Sequence, residues 1–175
     1  MGKLTLLTGG TRCGKSSHAL KLVEGRANPV FIATAQPFDE GMRDRIRKHR
    51  EERGDGFTTI EEPFDLAKAI ESIPVMTEIV IVDCLTVWLG NLMHRHGTSV
   101  DKYPEIELFL DALSNCPVDV VLVTNEVGMG IVPENAMSRQ FRDMAGWLNQ
   151  EIARRAADVI LMVCGLPLFV KQDNF

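Results

Sequence analysis

The stretch that most constrains this chain is GGTRCGKS, residues 9–16, between the apolar run KLTLLT (3–8) and the helical pattern CGKSSHALKLVEG (13–25). It fits G-x-x-x-x-G-K-[ST], a loop that joins a buried strand to a helix. Successive backbone N–H groups in such a loop curl into an anion nest, and the helix N-terminus adds partial positive charge. Gly9, Gly10 and Gly14 let the backbone turn and approach phosphate closely, with Thr11, Arg12 and Cys13 completing the loop. Lys15 is expected to reach the β- and γ-phosphates of a nucleoside triphosphate, and Ser16 to ligate Mg²⁺.

A loop of this kind needs a parallel sheet behind it, and the remaining pattern supplies one. Apolar β-type runs at 3–8, 29–34, 57–61, 78–83, 118–125 and 158–165 alternate with helical patterns at 13–25, 39–53, 64–72, 85–95, 103–115 and 138–157. Residues 167–171 read as a last edge strand. The expected fold is α/β, a mostly parallel sheet of about seven strands with helices on both faces. The chain has 175 residues and shows no linker or repeat, so residues 1–175 are expected to form one nucleotide-binding domain. The segment NEVGMGIVPEN (125–135) follows neither period and is expected to be an ordered loop at a strand's carboxyl end, where open α/β sheets hold ligands.

Asp83 closes the buried run EIVIVD (78–83). A carboxylate there suits the magnesium beside a phosphate loop, as an inner- or outer-shell partner.

Composition excludes several classes. The net charge of −5 argues against general affinity for nucleic acid or acidic membrane, so any anion site must be local. Cys13, Cys84, Cys116 and Cys164 are widely spaced, without zinc-site spacing, which fits reduced thiols in a cytoplasmic protein. No apolar run is long enough for a transmembrane segment, and the apolar N-terminal stretch is too short for a signal peptide. The run TNEV (124–127) lacks the Lys and Asp of the guanine-reading N-K-x-D pattern of GTPase switches.

The local exception in charge is RIRKHREERGDG (45–56), which sets His49 among Arg45, Arg47, Lys48, Arg50 and Arg53. Taken alone, it reads as a solvated helix face. On a helix, however, Met42, Ile46, His49 and Arg53 share one stripe, and Met42 and Ile46 are the only apolar residues between Asp39 and Arg53. His49 therefore belongs to the face that docks on the protein, on a helix weakly anchored enough to move.

Five stretches in order carry a family resemblance: TGGTRCGKS (8–16), FIATAQPFDEGMRDRIRKHREER (31–53), TIEEPFDL (59–66), IVDCLTVWLGNL (81–92) and VLVTNEVGMGIVPENAMSRQFRDMAGWLNQEIARRAADV (121–159). In these the chain resembles the bifunctional adenosylcobinamide kinases / adenosylcobinamide-phosphate guanylyltransferases of adenosylcobalamin biosynthesis. The resemblance implies a recombinase-like P-loop NTPase fold and homo-oligomers, trimers among them. It implies phosphorylation of adenosylcobinamide by ATP or GTP. Transfer of GMP from GTP to that phosphate would follow, through a GMP–histidine intermediate, giving adenosylcobinamide-GDP and pyrophosphate. The histidine corresponds to His49; where members commonly carry two adjacent histidines, this chain has Lys48–His49. By the same resemblance Thr34, Ala35, Gln36, Arg50, Glu51, Glu52 and Arg53 are nucleotide contacts, as is Glu61, chosen over Glu62 from the flanking residues. Asp83 stands where some relatives carry Glu. His18, His94 and His96 are read as structural or surface residues, and the 125–135 loop with helix 85–96 as the wall of a corrinoid site. Two rival readings use the same loop: a small-molecule kinase without a covalent histidine, and a GTP-binding regulatory module without group transfer.

Overall fold

The computed structural model describes residues 2–38, 40–54, 56–98 and 102–173; Asp39 lies outside them, as do the side chains of Arg45, Glu52 and Arg53. Seven strands form one sheet: β1 (Leu4–Gly9), β2 (Val30–Ala33), β3 (Thr58–Glu61), β4 (Ile79–Asp83), β5 (Asp119–Val123), β6 (Asp158–Val163) and β7 (Leu166–Lys171). Their order is β3-β2-β4-β5-β1-β6-β7. All neighbours pair in parallel except β6 and β7, which are antiparallel. The helices are α1 (Lys15–Leu22), α2 (Glu40–Arg53), α3 (Leu66–Glu71), α4 (Leu85–His96), α5 (Pro104–Asn115) and α6 (Ala136–Arg155).

The apolar runs are continuous because the central strands are covered on both faces. In β4, Val80 and Val82 join the larger core with Leu6, Leu122 and the buried residues of α3, α4, α5 and α6. Ile79 and Ile81 point the other way, to a smaller core with Leu7, Val121, Val123 and Ala19 of α1. At α4, Trp88 is fully buried, meets Phe109 edge-on at 5.1 Å and donates its indole N–H to the Phe64 carbonyl at 2.7 Å.

Several boundaries differ from the sequence pattern, two of them for clear local reasons. The first helix starts at Lys15 rather than 13, because Gly14 at φ 96° is left-handed and belongs to the loop. The last helix starts at 136 rather than 138, because the Asn135 side chain caps it by accepting from the Ser138 N–H at 3.2 Å. β7 is the expected edge strand, and all its residues are exposed. Among the described residues no helix is long and apolar enough to cross a membrane.

Candidate active site

The phosphate loop leaves β1 at Gly9 and enters α1 at Lys15. Gly9 cannot be replaced without displacement: a Cβ there would sit 2.6 Å from the Met162 carbonyl oxygen and 2.7 Å from Cys13 Sγ. The opposite side of the loop is held by the β6–β7 turn, where the Gly165 N–H donates to the Cys13 carbonyl at 3.1 Å. The Lys15 side chain is buried, and its ammonium donates to the Gly9 and Gly10 carbonyls at 3.0 and 2.6 Å. These two bonds hold a cation over the loop, where the nest favours an anion.

The neighbouring strand ends complete the site. Parallel pairing sets Asp83 beside Val123 and Leu7 beside the same residue, so the carboxyl ends of β4, β5 and β1 lie side by side. The Ser16 hydroxyl donates to Asp83 Oδ2 at 3.0 Å. The two residues expected at the metal are thus in direct contact across 67 positions of sequence.

Helix α2 supplies the remaining wall. Met42, Ile46 and His49 are half-buried, whereas Arg43, Asp44, Arg47, Lys48, Arg50 and Glu51 are exposed. This is the stripe expected from the spacing, as far as His49; the Arg53 side chain lies outside the described residues. A cleft of about 680 Å³ is lined by Thr11, Arg12, Cys13, Gly14, Lys15 and Ser16 from the loop, by Lys48 and His49 from α2, and by Asp83, Cys84 and Asn125 from the strand ends. A more apolar groove of about 830 Å³ runs between α3 and α5 and includes none of these residues.

The other expected contacts divide. Thr34 is fully buried and bonded to the protein. Its hydroxyl donates to the Cys84 carbonyl at 2.9 Å and accepts from the Cys84 N–H at 2.8 Å, and its carbonyl accepts from Asn91 Nδ2 at 2.8 Å. Thr34 therefore ties the end of β2 to the end of β4. Ala35 and Gln36 follow it, half-buried, and the Gln36 amide nitrogen is buried without a protein acceptor among the described residues. An unused buried donor is rare in a finished structure and marks this segment as able to take a ligand acceptor.

Arg50 pairs with Glu61, which links α2 to the end of β3. Glu62 accepts instead from the backbone N–H groups of Phe64 and Asp65, both at 2.9 Å, so it shapes the turn and Glu61 is the one that faces α2. Glu51, exposed, pairs with Arg47 at 3.1 Å along the helix. The Glu52 and Arg53 side chains fall outside the described residues.

Sequence reasoning gave Asp44 and Lys48 no role and placed Asn125 only within the 125–135 loop expected at a corrinoid site, and all three line the cleft. The first two carried a signal, since 41, 44 and 48 form a helical row beside the 42, 46, 49 stripe. The remaining histidines have other surroundings. His96 Nε2 lies 2.6 Å from Glu105, and its ring stacks on Tyr103. His94 is edge-on to Phe38. Burial first, and then the Lys21 charge, pull the pKa of His18 below its ordinary value.

A phosphate loop at the end of an inner strand of a mostly parallel sheet, with a hydroxyl and a carboxylate paired beside it, defines a P-loop nucleotide-using protein. Comparison with known proteins narrows that class. Residues 5–170 match the family model for cobinamide kinase / cobinamide phosphate guanyltransferase. The Escherichia coli K12 bifunctional adenosylcobalamin biosynthesis protein CobU is 39% identical over 182 residues, covering 96% of this chain and 99% of the relative. The Pseudomonas aeruginosa bifunctional adenosylcobalamin biosynthesis protein CobP is 41% identical over 170 residues, covering 96% and 97%. The chain therefore belongs to the cobinamide kinase / cobinamide phosphate guanyltransferase family. In fold alone it is similar to the RadB recombinase, with TM-score 0.52 and 18% identity over 91% of this chain and 74% of that one. A Pyrococcus horikoshii OT3 protein gives TM-score 0.56 at 6% identity, over 99% of this chain and 88% of that one.

Proposed function

We propose that this single domain, residues 1–175, carries out both reactions of its family at one nucleotide site. It phosphorylates adenosylcobinamide with ATP or GTP. It then transfers GMP from GTP to the phosphate through His49, giving adenosylcobinamide-GDP and pyrophosphate. The observation that carries this reading is that His49, Lys15, Ser16 and Asp83 line the same cleft.

The loop N–H groups and Lys15 bind and orient the triphosphate. Among the described residues no group of three or more His, Cys, Asp or Glu could hold a metal ion unaided. The Ser16–Asp83 pair offers two hard oxygens instead, which fits Mg²⁺ completed by phosphate and water. Bound there, Mg²⁺ would neutralise charge on the phosphate oxygens. In the transfer reaction the unprotonated His49 nitrogen bonds to the α-phosphorus as the bond to the bridging oxygen breaks and pyrophosphate leaves. A phosphate oxygen of the corrinoid then attacks the same phosphorus and releases the imidazole. The Lys48 ammonium, beside His49 in the cleft, stabilises the phosphate charge in both steps. Gln36 supplies a further donor to the nucleotide.

Incubation with α-labelled GTP followed by denaturation tests the reading. Label that stays on the protein, lost in acid and kept in alkali, indicates a phosphoramidate. Unlabelled protein would instead point to a small-molecule kinase or a GTP-binding regulatory module. A homo-oligomer belongs to the same reading, supported by exposed Leu166, Leu168, Phe169 and Val170 on the edge strand, and sedimentation tests it. A cytoplasmic location belongs to the same reading, and the four cysteines form no disulfide among the described residues.

A further inference from the structure

Asn125 has no part in the reactions as derived so far, yet it lines the cleft with Lys15, Ser16, Asp83 and His49. Its position follows from strand order. β5 lies between β1, which carries the phosphate loop, and β4, which ends in Asp83. The Thr124 N–H donates to the Leu7 carbonyl at 3.0 Å and the Glu126 N–H to the Gly9 carbonyl at 3.0 Å, so residue 125 is pinned on both sides against the loop's entry. His49 comes from the other direction, on the helix that follows β2, beyond β4.

The amide is also oriented. Its Nδ2 donates to the Thr86 hydroxyl at 2.7 Å, and Thr86, buried in the first turn of α4, lies 3.3 Å from Cys84 Sγ. With Nδ2 engaged, Oδ1 is left as an acceptor; it takes no protein hydrogen bond among the described residues and is not among the sealed polar atoms. An acceptor among groups that hold phosphate would repel phosphate oxygens. It suits a donor that must approach them, and in the kinase step that donor is the substrate's hydroxyl.

Resting on the function proposed above, we infer that Asn125 Oδ1 accepts from the attacking hydroxyl of the corrinoid and holds it in line with the γ-phosphorus, with Thr86 as the residue that positions the amide. In that step the hydroxyl oxygen bonds to the γ-phosphorus, the bond to the β–γ bridging oxygen breaks, and the nucleoside diphosphate leaves. The hydroxyl proton passes to a phosphoryl oxygen of the product and on to water, since an amide oxygen cannot keep it. The guanylyl transfer uses no such hydroxyl, so Asn125 divides the two activities from the side opposite to His49.

The test measures both half-reactions on one preparation: phosphorylation of adenosylcobinamide, and formation of protein-bound GMP from α-labelled GTP. Asn125→Ala should lower kcat of the kinase by about tenfold or more while labelling stays within about threefold of wild type. Thr86→Val keeps the shape and removes the orienting hydroxyl, and should slow the kinase alone by a few-fold. A kinase at the wild-type rate in Asn125→Ala, or both reactions falling in step, overturns the inference. If Asn125→Ala fails to fold, Thr86→Val decides by the same split. Failure of the parent reading shows separately, as wild-type protein that neither phosphorylates adenosylcobinamide nor takes up label.

Discussion

Helices α2 and α4 follow the paired parallel strands β2 and β4, and they are built oppositely. In α4, seven residues are buried, Trp88, Leu89 and Leu92 among them, and Asn91 donates to the Thr34 and Pro63 carbonyls at 2.8 and 3.0 Å. In α2 no described side chain is buried; Met42, Ile46 and His49 are half-covered and the other described residues are exposed. Helices in water owe most of their stability to the packing of an apolar face. α4 is therefore part of the frame and α2 is held lightly against it. A residue that must take GMP from one substrate and present it to another belongs on the second kind of helix.

The largest effect should come from α2 at no cost to the fold. His49→Ala removes the proposed carrier, so protein-bound GMP and adenosylcobinamide-GDP should both disappear, a loss of at least about a thousandfold. Phosphorylation of adenosylcobinamide should continue, because no protein nucleophile takes part in it. Melting temperature should shift by no more than about 2 °C, since the residue is half-exposed and outside both cores. Wild-type labelling of this variant would return His49 to the solvated face of a charged helix.

The same truncation in the frame should reverse the pattern. Trp88→Ala empties a fully buried site and leaves the Phe64 carbonyl without its donor, which should cost about 3–5 kcal/mol in denaturant unfolding. Ile46→Ala in α2 should cost under about 1 kcal/mol, yet slow labelling by His49 a few-fold because the helix loses half of its apolar seat. If Ile46→Ala proves as destabilising as a core truncation, the contrast between the helices is wrong.

At the junction of the two, Asp83 ends β4 just before α4 and touches Ser16. Asp83→Asn keeps the shape and removes the charge. The Mg²⁺ concentration for half-maximal activity should rise about tenfold, with both half-reactions affected alike. An unchanged Mg²⁺ dependence would take Asp83 out of the metal's surroundings.

How much of this was legible in the sequence follows the range of the forces involved. The phosphate loop could be read because its constraints are local: glycines for the turn, a lysine and a hydroxyl at fixed offsets, an apolar strand before it. The His49 stripe could be read because helical periodicity is local too. The bracing bonds of Thr34 were not legible, because its partner Cys84 is 50 residues away and nothing near Thr34 announces them. Asn125 was placed only within the 125–135 loop, and its particular position was hidden for a related reason. Its importance comes from β5 lying between β4 and β1, and sheet order is set by packing of whole elements. The pairing of Glu51 with Arg47, four residues apart on one helix, is by contrast a local feature.

The smallest effects should separate charges that hold the frame from charges that hold the lightly packed helix. At the amino end of the sheet, far from the cleft, Asp119 accepts from the Lys3 N–H at 2.8 Å and from Arg26 Nη2 at 2.7 Å. Burial pushes the pKa of Asp119 up, but the bonds and charges of Lys3 and Arg26 together outweigh it and hold the carboxyl below its ordinary value. A folded-state pKa below the unfolded one means that the stabilisation is present above the unfolded value and fades as pH falls through the folded one. Asp119→Asn should therefore cost about 1 kcal/mol at neutral pH, and its deficit against wild type should shrink once the pH drops below about 4. The α2 counterpart is Glu61, paired with Arg50 with both side chains about 60% exposed. Glu61→Gln should change stability by no more than a few tenths of a kcal/mol at any pH, because exposed pairs of this kind are worth little. It should still alter the nucleotide KM by a few-fold, by loosening the latch between β3 and α2. Unfolding curves of both variants from pH 3 to 7, with KM at pH 7, check the pair. A stability loss at Glu61 as large as that at Asp119 would make α2 part of the frame after all.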